Sequence, residues 1–251
     1  MNKPSLLAVS LLLGAVIVAI PSLRGSDSGT QIVAVPEPTQ DIVTNPDTSA
    51  HGMVGYYVGP FGDRKITVRL EKVIGSTVEG YSVVGGNERA FSGWYKRLPS
   101  GDVEMVTREP GDDPTDGVFT LELAAATPML TGTWTPNNTT RTSVPLILSK
   151  RDFRYNPQAG QYSISSTKLL TAADVSNLTA AELRIMRNEM YARHGYSFKL
   201  SDMQQHFDKQ DWYMPVSTDV TGQLTKLEQT NEALIKRYEQ YTATHYDVFG
   251  R

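Results

Sequence analysis

Between Gly52 and about Tyr155 the chain alternates apolar and polar residues in short segments cut by turn formers, and this pattern constrains its fold more than any other feature. Eight segments carry it: Val54 to Gly59, Lys65 to Val73, Ser76 to Val84, Asn87 to Arg97, Val103 to Glu109, Gly117 to Ala124, Met129 to Thr135 and Ser143 to Lys150. The alternation is clearest where Ile66, Val68 and Leu70 oppose Thr67, Arg69 and Glu71, and where Phe119, Leu121 and Leu123 oppose Thr120 and Glu122. A period of two sends successive side chains to opposite faces, so each ribbon has one apolar and one wet face. Connections such as Gly85-Gly86, Pro99-Ser100-Gly101-Asp102 and Gly111-Asp112-Asp113 are short turn formers, which favours consecutive antiparallel hairpins over crossover helices. The expectation is an eight-stranded antiparallel barrel or small sandwich. Eight strands let side chains nearly fill the interior or leave room for one small ligand.

Beyond Asn156, Pro157 and Gly160 the periodicity changes. Tyr162 to Ser166 reads as one more strand or an extended connector, and the remainder as helix. Thr179 opens one helix with a capping box to Glu182, and Leu183, Met186 and Met190 give it an apolar face. Gly195 ends it: a left-handed residue at C′ places Tyr196 at C″ and Tyr191 at C3, the contact pair of a Schellman motif. Ser201 with Gln204 marks a second helix start and Thr225 with Glu228 a third, which carries a stripe of Leu227, Asn231, Leu234, Tyr238 and Tyr241. The fold class is therefore α+β, with the β domain followed by a small three-helix domain.

The pentad Tyr191-Ala192-Arg193-His194-Gly195 resembles the signature of the YARHG domain, a bacterial family presumed extracellular. The resemblance runs from about Thr171 to Glu239 and includes Phe207, Asp211-Trp212-Tyr213-Met214-Pro215 and Asn231. It implies a helical fold and an extracytoplasmic compartment, and no particular reaction.

The N-terminus fits that compartment. Lys3 precedes an apolar run from Leu6 to Ile20, so residues 1–25 read as a signal peptide or an uncleaved N-terminal membrane anchor. Residues 26–50, rich in Pro, Ser, Thr, Asp and Gly, read as a disordered linker. Residues 51–160 form the β domain and 161–251 the helical one. The expected location is periplasmic, cell-surface or secreted, with membrane contact only through an uncleaved N-terminus.

Composition narrows the chemistry. A net charge of -3 with no basic run leaves no nucleic-acid surface. The absence of cysteine removes disulfides and thiolate metal sites, and the four histidines lack ligand spacing, so neither metal nor cofactor is expected. The bland reading of His194 and Arg193 is that they complement the negative end of the helix dipole, with Glu189 placed to pair Arg193 across one turn. The binding reading takes Arg187, Tyr191 and His194, which share a stripe at i, i+4 and i+7, and joins Arg187 and Tyr191 to Asn231 in a polar network. With Arg193, Trp212 and Tyr213 these make an aromatic and basic surface for a wall glycan, a peptide or an envelope protein. Arg89, Trp94 and Trp134 are candidates for a ligand at the barrel mouth, the alternative role being a small-ligand carrier. Glu182 and Glu189 are the carboxylate pair of a rival envelope (peptidoglycan) hydrolase. The expected role is non-catalytic binding at the cell envelope.

Overall fold

The computed structural model describes residues 52–245, with the backbone alone at His245. The expected signal segment and linker lie outside the described residues. Eight strands follow in order: β1 (Gly55–Phe61), β2 (Arg64–Ile74), β3 (Thr77–Val84), β4 (Asn87–Arg97), β5 (Val103–Arg108), β6 (Gly117–Leu123), β7 (Met129–Pro136) and β8 (Val144–Lys150). Each lies within two residues of a segment marked by alternation. Every neighbour pairs antiparallel, and β8 returns to β1 through Tyr57↔Lys150 and Val58↔Ser149. The fold is a closed barrel, not a sandwich. Closure removes the exposed edges that an open sheet would present.

The interior is packed with side chains. Tyr57, Ile66, Val68, Leu70, Phe91, Met105, Phe119, Leu121, Leu130, Leu146 and Leu148 are all buried in one cluster, with the Phe91 and Phe119 rings 5.5 Å apart. The other face of β1 to β3 is less wet than alternation implies. Val58, Thr67 and Val83 occupy outward positions there and are buried. The helical region covers them.

That region begins with two single turns, α1 (Ile164–Thr167) and α2 (Ala172–Val175), so the stretch from Tyr162 to Ser166 is turn and helix, not a strand. Three longer helices follow, α3 (Ala180–Arg193), α4 (Ser201–Phe207) and α5 (Lys226–His245). Thr179 caps α3 with the reciprocal Glu182 bonds, and Thr225 with Glu228 does the same for α5. Ser201 does not cap α4. The residue before it, Leu200, takes that place, and the Gln204 amide donates instead to the carbonyls of Phe198 and Lys199. On α5 the fully buried positions are Glu228, Asn231 and Ile235: Asn231 lies on the expected stripe and the other two one residue beside a member of it, while Leu234 and Tyr238 are half-buried against the core and Tyr241 is exposed. The displacement follows from a helix repeat of 3.6, which lets Ile235 share the face of Asn231 as readily as Leu234 does.

The end of α3 is the expected Schellman turn. Gly195 has φ of +79°, its N–H donates to Ala192 O at 2.9 Å, and the Tyr196 N–H donates to Tyr191 O at 3.1 Å. The rings of Tyr191 and Tyr196 meet edge to face at 6.0 Å. The chain then runs back beside residues 212–217, where Val216 N and Ser217 N both donate to Gly195 O. Barrel and helical region belong to one compact unit. A methyl group at residue 195 would lie 2.3 Å from Val216 Cγ2 and 2.9 Å from Phe153 Cε2, on a backbone that only glycine adopts freely. Gly195→Ala is therefore expected to destabilise the protein by about 2–4 kcal/mol in urea unfolding, summing the left-handed penalty and overpacking.

Candidate functional site

Around the C-terminal turn of α3 lies a buried polar cluster. Arg193 is 2% exposed, and its guanidinium makes four hydrogen bonds: Nε to Ala159 O at 2.7 Å, Nη1 to Ser165 Oγ at 2.9 Å and Ser166 Oγ at 2.8 Å, and Nη2 to Glu189 Oε2 at 2.6 Å. Glu189 also accepts from the Gln161 and Tyr162 amides at 2.8 and 2.7 Å. The ion pair thus has the backbone partners that a buried pair needs. Burial lowers the Arg193 pKa, against the opposing charges of Glu189 and Glu228. An arginine keeps its proton under such a shift.

His194 extends the cluster toward α5. Its Nε2 lies 2.8 Å from Glu228 Oε2, and its ring stacks on Tyr155 at 4.4 Å and 14°. Glu228 also accepts from Ser166 Oγ, from Tyr155 Oη at 3.2 Å, and from Thr225 N and Oγ1 at 2.9 and 3.0 Å. Burial pushes the Glu228 carboxyl up, but the bonds from His194, Ser166 and Thr225 outweigh it and hold the group at about 2. At neutral pH Glu228 is therefore a carboxylate, which only accepts, so the His194 Nε2 carries a proton and donates it.

Asn231 is fully buried and uses its whole amide: it accepts from Leu170 N at 2.9 Å and donates to Ser165 O at 2.9 Å and Lys168 O at 2.8 Å. It does not join Arg187 and Tyr191 as expected. Arg187 Nε pairs with Glu239 at 3.0 Å and Tyr191 donates to Glu232, both across to α5. One polar network becomes two: the first ties α3 to α5 along its half-exposed edge, the second pins the α1 connector under α5.

The residues expected to form a binding surface divide between interior and surface. Arg193, His194, Tyr213 and Asn231 are interior, with Tyr213 donating to Tyr196 O at 2.7 Å. Trp212 is half-buried and borders a cleft of about 220 Å³ between the chain after β8 and residues 192–214, where Arg151, Asp152, Phe153, Arg154 and Asn156 form the opposite wall. Arg151 donates to Asp211 O at 2.7 Å, and Arg154 lies 3.6 Å from Asp152 on the surface. No local pattern in the sequence singles out these two arginines, Tyr155, Ser166 or the second role of Glu228. Glu228 alone carried a signal, sitting three residues before Asn231 on one helix face.

The barrel candidates are likewise separated. Trp94 faces outward on β4, whereas Arg89 binds Asp116 and Thr115. Trp134 donates to Glu109 at 3.2 Å and packs on Phe61 at 5.4 Å. Burial raises the Glu109 carboxyl despite bonds from Trp134, Ser82 and Gly117. Glu182 and Glu189 face no common cleft: the first serves its capping box, the second is buried on Arg193. Among the described residues no three His, Asp or Glu side chains gather as a metal site, and no helix is long and apolar enough to cross a membrane.

Residues 161–240 match the family model of the YARHG domain. The match covers the two single turns and all three longer helices except the last residues of α5. It includes the pentad, and thus every helical side chain of the buried cluster. Domains of this family are generally found in extracellular and periplasmic proteins. No curated protein and no solved structure matches the chain.

Two measurements separate the networks. Asn231→Ala strands one buried N–H and two carbonyls and is expected to cost about 2–4 kcal/mol in urea unfolding, whereas Arg187→Ala removes a half-exposed pair worth about 0–1 kcal/mol. The Glu228 carboxyl, held at about 2 against an ordinary 4.5, contributes stability that is complete above pH 4.5 and fades as pH falls through about 2. The wild-type protein should lose on the order of 3 kcal/mol across that window from this group, and Glu228→Gln should flatten the acid limb of the unfolding curve.

Proposed function

We propose that this chain is an exported, non-catalytic binding protein of the cell envelope, and that the YARHG region presents the cleft beside Trp212 to an acidic wall glycan. The observation that carries this reading is the division of labour around α3. The polar residues of the pentad are consumed by internal bonds, while the neighbouring cleft keeps an aromatic ring and two exposed arginines against the single carboxylate of Asp152. An indole face suits the apolar face of a sugar ring, and guanidinium groups suit carboxylates in a bidentate fork. The extracytoplasmic association of the domain family and the apolar N-terminal run of the sequence both support the compartment.

Co-sedimentation of the full chain with purified wall glycan strands tests this. Wild type should be retained, and both Trp212→Ala and the Arg151→Ala, Arg154→Ala double variant should lose about tenfold in affinity, a change of one hot-spot contact, without a change in melting temperature. Capture of a peptide or an envelope protein in place of glycan would overturn the ligand class. Equal retention by all three proteins would remove the cleft from the reading.

A further inference from the structure

The Trp212 cleft is small. Its volume of about 220 Å³ falls below the roughly 300–1,000 Å³ of sites that enclose a whole small ligand, so a glycan strand seated there must continue outside it. Strand register shows what lies on one side. The Arg151 N–H donates to Tyr56 O at 2.9 Å, which lays the chain leaving β8 alongside β1, and the pairs Tyr56↔Arg69 and Arg69↔Tyr81 carry the row onto β2 and β3. Tyr57, Val68 and Leu70 belong to the core, so Tyr56 and Arg69 point outward, and their paired neighbours with them. The row therefore reads Arg151, Tyr56, Arg69, Tyr81, cation and ring in turn, across roughly 14 Å at ordinary strand spacing.

Tyr56 joins this row to the cleft. It packs with Phe153 against the cluster of Val58, Met214 and Val216, and Phe153 and Met214 are also walls of the cleft. Tyr56, Arg69 and Tyr81 are each half-buried and keep part of their surface in solvent. Arg69 gives the row its chemistry. Its guanidinium lies over the Tyr56 ring, 4.3 Å from the centroid, and among the described residues it pairs with no carboxylate. Stacking fixes the plane of the group and leaves its edge donors for a carboxylate met as a fork. Burial, the Tyr56 hydroxyl and the charges of Glu71 and Glu88 raise the Tyr81 phenol above its ordinary value, so it remains a neutral hydroxyl. Those two carboxylates are the acids beside Tyr81, and Asp152 is the one beside Arg151.

We propose that Tyr56, Arg69 and Tyr81 form a second subsite for the same acidic glycan, taking the sugar units next to the one in the Trp212 cleft, with a carboxylate of the strand on Arg69 and a sugar ring against Tyr81. This subsite rests on the cleft reading and extends it: the ligand is the interior of a strand with repeated carboxylates instead of a single free sugar. It also gives the barrel a part in binding, through its outer face and away from the Arg89 and Trp134 end.

The test is calorimetric titration of the full chain with peptide-free peptidoglycan fragments of one, two and four disaccharide repeats whose lactyl carboxylates are intact. Wild type should bind the four-repeat fragment about tenfold more tightly per repeat than the single one, the gain of a second contact on the same strand. Arg69→Ala should bind the single repeat as wild type does and lose that gain, and Tyr81→Ser should lose part of it. Amidation of the lactyl groups should remove it from wild type. The subsite is ruled out if wild type binds the single repeat and gains nothing per repeat with length, or if Arg69→Ala keeps the gain. Failure of wild type to bind any fragment removes the cleft reading and the subsite together. If Arg69→Ala fails to fold, the comparison of free and amidated fragments on wild type decides alone.

Discussion

The helical region is organised by one buried ion pair, Arg193 with Glu189. Moving two charges out of water is costly, and their attraction offsets the cost only where the remaining donors and acceptors are also met. Here they are met by the backbone of the α1 connector: Ala159 O on one side, Gln161 N and Tyr162 N on the other, with Ser165 and Ser166 between. The pair therefore does more than join two side chains one turn apart. It fixes a connector without periodicity of its own against α3, and places Ser166 where it also bonds Glu228. From Glu228 the chain of bonds continues to His194 and the cap of α5. Removing either charge would leave the other buried and unpaired.

How much of this is legible in sequence depends on whether the information is local. The eight strands are legible because a period of two is written residue by residue, and the turn of Gly195 because a helix end has local chemistry. The Glu189 and Arg193 spacing is legible too, but its burial is not, since Ala159 and Ser165 are more than 25 residues away. Asn231 shows the same limit. A polar residue in an apolar stripe announces a need for partners without naming them, and the partners are backbone atoms of Leu170, Ser165 and Lys168 instead of the side chain of Arg187. Trp94 shows it for the barrel: composition groups it with Arg89, and strand parity divides them.

The outer face of β1 to β3 carries a signal that alternation conceals. Val58 and Val83 stand where a free barrel would show polar groups, and both are buried, Val58 against Met214 and Val216. Lys65 crosses the seam to give its ammonium to Gln210 O at 2.6 Å and Tyr213 O at 3.1 Å, and burial lowers its pKa accordingly. The Gly85-Gly86 turn meets the same region through Gly86 N and Ser197 Oγ at 2.9 Å. The seam even encloses the Thr67 hydroxyl without a partner, a cost of about 1–3 kcal/mol that the apolar contacts around it must exceed.

This seam bears on which surfaces are free to bind. Covering the outward row of Val58, Thr67 and Val83 removes that patch of the barrel from solvent, and the packed interior removes its centre. The Schellman turn is closed as well, because Gly195 lies against both Phe153 and Val216. The Trp212 cleft, where the chain leaves β8, stays concave beside it. Lys150 and Arg151 are adjacent residues, the first at the barrel end with Tyr57 and Val103 and the second on the wall of the cleft. Alternation along a strand and its continuation thus turns neighbouring cations to different faces of the protein, and only Arg151 meets the surface that Trp212 presents.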